Sequence, residues 1–273
     1  MQSEIKQISW FLSPVYRTAL CVIALGLISI STLAVKREKN SSQDAKTSIN
    51  KLTPEEKATG WELLFDGKRT NKWRGAYMKT FPASGWIIED GSLKHLKGTT
   101  GSTEAQHGGD IVTINEYSSF ELQLEWRISP GGNSGIKYFV TEALPKPEGA
   151  TIGLEYQILD DDRHPDARMG REGNRTAASL YDLIPAKDKE LKAVGEFNLT
   201  RLVVNGNHVE HWLNGKKVLE YELRSPELKQ LIAESKYKSI PGFGEWTKGH
   251  ILLQDHGDEV AFRNIKIRAL SGK

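Results

Sequence analysis

From Trp61 onward the chain is cut into short runs of alternating or aromatic residues, separated by turns rich in Gly, Asn, Asp and Pro. An extended strand sends successive side chains to opposite faces, so a two-residue apolar period marks strands with one face in a core. The runs are Trp61 to Phe65, Gly85 to Glu89, Ser92 to Leu96, Asp110 to Ile114, Phe120 to Ile128, Gly135 to Val140, Leu154 to Leu159, Phe197 to Val204, His208 to Leu213, Lys217 to Glu220, His250 to Gln254 and Val260 to Arg268. So many short strands, spaced by turn residues, predict an all-β chain folded as one sandwich of two antiparallel sheets. No internal repeat accompanies them.

Several connections follow from turn chemistry. Asn214-Gly215 lies between two of the runs and favours a tight hairpin, Asn205-Gly206-Asn207 joins the preceding pair, and Asp90-Gly91 closes another. Two stretches read as helix. Thr53-Pro54-Glu55-Glu56 has a Thr cap, Pro in the first turn and early acids, with Gly60 placed to stop it. Ser225 to Lys236 carries Leu228, Leu231 and Ile232 at helical spacing, a stripe expected to pack on the sandwich.

Before the sandwich, Ala19 to Val35 carries no charge, follows Lys6 and Arg17, and ends in small residues with Thr32 and Ala34 at cleavage-site spacing. It reads as an export signal or a membrane anchor, Lys36, Arg37 and Lys39 being the flank in the second case. Both place the rest of the chain outside the cytoplasm: periplasmic, secreted, or tethered to a membrane. Residues 36–52 are polar and aperiodic and read as a flexible linker, leaving 53–273 for the sandwich. Cys21 is the single cysteine, so neither an internal disulfide framework nor a thiolate zinc site is available. With 37 Lys+Arg against 35 Asp+Glu, interleaved, the chain lacks the basic field that nucleic acid demands, and that partner is set aside.

Chemistry is sought where polar residues take alternate positions on strands, because a charged sandwich face must be a solvated cleft or a paired network. In Glu155-Tyr156-Gln157-Ile158, Glu155 and Gln157 share a face about 6.5 Å apart while their neighbours enter the core. Asp160, Asp161, Asp162, Arg163 and His164 crowd the end of that strand. Gln254 and His256 share a face of another, and Lys137 stands between Ile136 and Tyr138 in a strand opened by a Gly-rich turn. Trp86, Trp126, Trp212 and Trp246 are core aromatics by habit, but on a sandwich face they would stack on sugar rings.

The blocks GWELLFDGK (60–68), GNSGIKYF (132–139), GLEYQILDD with His164 behind it, ASLYDLI (178–184), GEFN (195–198), HWLNGKKV (211–218) and LLQDHGDEVAFRNIKIR (252–268) together resemble the 3-keto-disaccharide hydrolase domain family. The resemblance spans nearly everything from 58 to 270. It implies a concanavalin-like jelly roll, a carbohydrate substrate, and an active site on the concave face of one sheet. Glycoside hydrolase family 16 shares that fold and carries paired carboxylates on its catalytic strand. Here Glu155, Gln157 and Asp160 occupy the corresponding positions, and Gln cannot ionise, so the two-carboxylate mechanism is compromised. A 3-keto group instead acidifies the C2 hydrogen and allows elimination. That chemistry needs a base (Glu155 or His256), a partner for the enolate oxygen (Lys137), an acid for the leaving oxygen (His164), and Gln157, Gln254, Asp160 and Trp86 on the substrate. A divalent metal held by His164, His256, Glu155 and the Asp cluster is the alternative to Lys137.

Overall fold

The computed structural model describes residues 49–98, 108–144 and 151–271. The export segment and most of the expected linker lie outside them. The short helix α1 (Pro54–Ala58) has a capping box: Thr53 Oγ1 accepts from the Glu56 N–H and the Glu56 carboxylate accepts from the Thr53 N–H. The strands are β1 (Glu62–Leu63), β2 (Trp73–Gly75), β3 (Trp86–Glu89), β4 (Ser92–His95), β5 (Ile111–Thr113), β6 (Phe120–Ile128), β7 (Asn133–Val140), β8 (Leu154–Leu159), β9 (Asn198–Asn205), β10 (His208–Leu213), β11 (Lys216–Glu222), β12 (His250–Leu253) and β13 (Val260–Ala269), with helix α2 (Pro226–Ala233) between β11 and β12.

All pairings are antiparallel and form two sheets of a jelly-roll sandwich. The larger runs β11-β10-β9-β6-β13-β4-β3 with β1 added on β13, and the smaller runs β2-β5-β12-β7-β8. The hairpins fall where the turn residues put them, with Asp90, Asn214, Gly91, Gly206 and Gly215 all in the left-handed region that such turns require. Inward side chains from the two sheets, among them Leu122, Leu124, Trp126, Phe262, Ile136, Tyr138, Tyr156 and Ile158, make one continuous core.

One polar network is sealed between the sheets. His211 of β10 donates from Nδ1 to the Ala178 carbonyl at 3.0 Å, and its Nε2 meets the Tyr138 hydroxyl of β7 at 3.0 Å. Tyr138 in turn lies 2.5 Å from the Tyr221 hydroxyl. Burial pushes the His211 pKa down to about 4, so the ring is neutral at ordinary pH. Each group has a partner, the condition on which a buried polar cluster is tolerated.

The structure corrects the sequence reading at three places. The fold begins before residue 53: Asn50 is buried and exchanges amide hydrogen bonds with Asn264 (2.6 and 2.7 Å), so 49–52 belong to the sandwich rather than to a linker. Helix α2 ends at Ala233, and Lys236–Ser239 forms a separate 3-10 turn capped by the Ser235 hydroxyl. Strand β2 was not legible, being three residues long beside a Lys-rich turn.

Within the smaller sheet, β7 holds one residue too many. His250 and Leu252 of β12 face Val140 and Lys137, two steps against three, and Phe139 takes up the excess at φ 53°. The bulge turns Phe139 into the core beside Tyr138 and sends Val140 outward, against Val112 and Leu252.

Candidate active site

The outward face of the smaller sheet carries the alternate residues of its three consecutive strands β12, β7 and β8. Lys137 and Glu155 are register partners across β7 and β8, as are Gly135 and Gln157. Their core-facing neighbours Ile136, Tyr138, Tyr156 and Ile158 fix this phase, so hydrophobic burial on one face positions the polar groups on the other. Above them lies a cavity of about 350 Å³. Its wall holds Lys137, Glu155, Gln157, Gln254 and His256, and Tyr181, Lys236, Tyr237 and Phe243 form a roof.

Glu155 is buried and held from both sides. Its Oε2 lies 3.6 Å from Lys137 Nζ, and the Gln157 amide, turned to suit its neighbours, donates to Oε1 at 3.2 Å and to the Ser134 carbonyl at 2.9 Å. Room for the carboxylate exists because residue 135 is glycine: a Cβ there would stand 2.4 Å from Glu155 Oε1. Lys137 also donates to the Thr151 carbonyl at 3.1 Å, and the Thr151 hydroxyl donates to Asp110 Oδ2 at 2.7 Å. The lysine ammonium is thus tied back into the wall.

The loop after β12 is pinned by Asp255, whose carboxylate accepts from Gly109 and Gly257 N–H groups at 3.0 and 2.8 Å and lies 3.1 Å from His95 Nε2. Burial opposes ionisation of Asp255, but the His95 contact and the two N–H donors outweigh it and hold its carboxyl below the usual range. Gln254 is buried in the cavity wall, and its Oε1, closed off from solvent, has no donor. His256 is exposed at the rim, its ring 6.3 Å edge-on from that of His164.

Three residues assigned from the sequence stand elsewhere. His164 caps the 3-10 turn Pro165–Arg168 by accepting from the Asp166 N–H at 3.2 Å, and it stays outside the cavity lining. Asp160 accepts from Gly131 N–H at 2.7 Å and from the Arg163 guanidinium at 3.1 Å, which overcome the cost of burial and keep its carboxyl below the usual range. It fastens the turn before β7 to the end of β8 and stays outside the cavity lining. Trp86 is core, stacked on Phe262 with its indole N–H donating to the Gly109 carbonyl at 2.8 Å, so it offers no platform to a sugar.

Of the expected metal ligands, His164 and His256 have ring centroids 6.3 Å apart, and Glu155 lines the same cavity as His256. Asp161 pairs with Lys189 at 2.6 Å, and among the described residues the one group of three ligating side chains is His208, Glu210 and Glu220, on the β10–β11 hairpin of the other sheet. Lys217 already sits between those two glutamates, at 3.3 and 2.6 Å.

The roof was missed by the sequence reading. Tyr181 lies in the quoted block 178–184, which carried a family likeness but no role, and it donates to Asp166 Oδ2 at 2.7 Å. Tyr237 and Phe243 are stacked 4.0 Å apart. The run Lys236-Tyr237-Lys238-Ser239-Ile240-Pro241-Gly242-Phe243, aromatic and basic directly after a helix, was the available signal.

A jelly-roll sandwich with acid, ammonium and imidazole groups on one wall of a small cavity and aromatic rings on the other defines an enzyme built for a small polar substrate. Residues 60–268 match the model of the 3-keto-alpha-glucoside-1,2-lyase-like domain, and the chain belongs to that family. It is 36% identical to a 3-keto-disaccharide hydrolase of Bacteroides thetaiotaomicron, over 93% of this chain and 98% of that protein. Two crystal structures from Parabacteroides distasonis, both provisionally described as glycosyl hydrolases, are also similar. One is 33% identical with a TM-score of 0.71, covering 82% of this chain and 100% of the other. The second is 30% identical with a TM-score of 0.58, covering 77% and 99%.

Proposed function

We propose that this enzyme cleaves the glycosidic bond of 3-keto-glycosides, 3-keto-disaccharides in particular, by elimination. The observation that carries this reading is that Glu155 is the one carboxylate among the described residues lining the cavity. A retaining glycosidase needs two carboxyls about 5 to 5.5 Å apart, and Asp160, the candidate for the second, is bound to Gly131 and Arg163 instead. One base and a set of cations suit a substrate whose ketone makes its own C–H acidic.

In this mechanism Glu155 takes the C2 hydrogen as a proton, and the electron pair left behind spreads onto the C3 oxygen. The enolate then collapses, C1=C2 forms, and the C1–O bond breaks with its electrons on the departing oxygen, which gains a proton. Adding water across C1=C2 completes a net hydrolysis. Lys137 and Gln157 hold the carboxylate at the wall, and the Gln254 side chain lines the same wall for the substrate's hydroxyls. The uncharged stretch Ala19 to Val35 supports export, a part of the proposal that cell fractionation tests.

The test is incubation of the purified protein with a 3-keto-disaccharide and its unoxidised parent in deuterated water, with and without chelator. Exchange or loss of the C2 hydrogen together with cleavage of the keto sugar alone is the expected result. Efficient cleavage of the parent without C2 exchange would return the protein to conventional glycosidase chemistry.

A further inference from the structure

Elimination requires a cation or hydrogen-bond donor at the enolate oxygen, and two lysines line the cavity. They are not equivalent. The Lys137 ammonium is almost wholly buried and already divided between Glu155 at 3.6 Å and the Thr151 carbonyl at 3.1 Å. A cation so engaged can hold the base in place but has its donors directed into the wall.

Lys236 differs in every respect. Its backbone is fixed, since its N–H donates to Asp182 Oδ2 at 3.0 Å and Asp182 is in turn held by Arg175 Nε at 2.7 Å. Its ammonium rests over the Tyr181 ring, 4.1 Å from the centroid, and 5.2 Å from the centroid of Tyr237. No carboxylate of the described residues lies within 4.0 Å of it. The opposite wall holds Gln254, whose Oε1 is buried without a donor, so the cavity pairs a cation lacking an acid with an amide lacking a donor. A polyhydroxy ketone supplies what both lack: an oxygen that gains negative charge and hydroxyls that donate.

We propose that Lys236 is a catalytic residue that faces the C3 oxygen of the keto sugar and stabilises the enolate, while Lys137 positions Glu155. This inference rests on the elimination reading above and reassigns one role within it. Rings are a suitable seat for such a group, because a ring face attracts the cation without engaging a carboxylate or carbonyl oxygen, leaving N–H groups not spent on the ring for an oxyanion. Lys236 as a whole is an exposed residue, yet protein atoms crowd its ammonium enough to lower its pKa, Lys137 adding to the effect while Glu155 and Asp182 oppose it. Activity that depends on this ammonium falls as pH rises through that lowered pKa.

The experiment compares the full-length wild type with Lys236→Met on a 3-keto-disaccharide, reading kcat, KM, the pH dependence of kcat/KM and C2 deuterium exchange. Circular dichroism checks that the fold is kept, which exposure of the side chain favours. Loss of a donor at a developing oxyanion costs on the order of 10²-fold or more in kcat. Lys236→Met is therefore expected to lose that factor, to slow C2 exchange in parallel, and to lack the alkaline limb of the wild-type profile. A kcat within about threefold of wild type, or a rise in KM alone, overturns the assignment, since uniform binding is then all that Lys236 supplied. Failure of the elimination reading is distinct: wild-type enzyme would itself show no C2 exchange, whatever Lys236→Met does.

Discussion

The outward faces of the two sheets are both polar, and they differ in how the polarity is satisfied. On the larger sheet Glu121 joins Arg201 and Arg268, each at 2.5 Å, while Glu125 joins Arg263 at 2.7 Å and Asn264 at 2.8 Å. Phe197 lies under Arg263 and Trp61 under Arg268, so the cations there have ring faces as well as carboxylates. Over the smaller sheet Gln254 keeps an unsatisfied acceptor in the wall, and the Lys236 ammonium of the roof has a ring but no acid. Both faces show the same alternation in sequence. A polar strand face marks chemistry only where its groups remain incompletely paired with one another.

The sharpest way to break this comparison is to neutralise the acid of the cavity. Glu155→Gln is expected to lower kcat/KM on 3-keto substrates by roughly 10²- to 10⁴-fold, the usual worth of a general base, and to lower the melting temperature too, because the buried Lys137 ammonium loses its counter-charge. Gly135→Ala is the next largest. The new Cβ collides with Glu155 Oε1, and misplacing a reacting group by about 1 Å can cost on the order of 10²-fold in turnover. The loss should appear in kcat while far-ultraviolet circular dichroism stays native.

The link between the sheets predicts a pH effect of nearly the same energy. His211 is neutral in the fold with its pKa lowered to about 4, and regains an ordinary value near 6.5 when unfolded. Below that ordinary value the unfolded chain binds the extra proton, so stability falls as pH drops from about 6.5 to 4, by roughly 3 kcal/mol in all. Denaturant titrations at several pH values measure this, and His211→Gln should flatten that part of the curve.

On the larger sheet Glu121→Gln should leave kcat/KM unchanged and cost about 1–3 kcal/mol of stability by loosening two charge-assisted contacts. A change in kcat there would mean that the paired face takes part in the reaction. Smallest of all, Asp160→Asn should keep activity within about twofold, because its carboxylate fastens a turn outside the cavity.

How legible each part was follows from the same contrast. Strands β6, β8 and β10 run from Phe120, Leu154 and His208 to the residues the alternation marked, because an apolar face permits one register only. That register also placed Lys137, Glu155, Gln157 and Gln254 on one wall. It has nothing to say about residues off a strand. His164 and Asp160 lie in a loop whose side-chain directions are set by local caps, and the roof lies on a 3-10 turn. Trp86 failed for another reason: counting tryptophans does not reveal which face of β3 enters the core, and pairing with His95 of β4 decided it.

The bulge at Phe139 gives β7 a further property, visible when the strand is considered as a length of text. Before it, Lys137 keeps step with Glu155; after it, the inside and outside letters exchange places. Removing residue 139 would take a ring out of the core yet restore plain alternation, with Val140 still outward opposite His250, whereas removing a residue before the bulge would put Lys137 and its neighbours out of phase with β8. Single-residue deletions between Asn133 and Tyr138 should therefore be less tolerated than substitutions at the same sites, and among descendants of this sequence the count along that regular stretch should be kept while length varies in the connection to β8. Spacing, as much as spelling, is what the strand transmits.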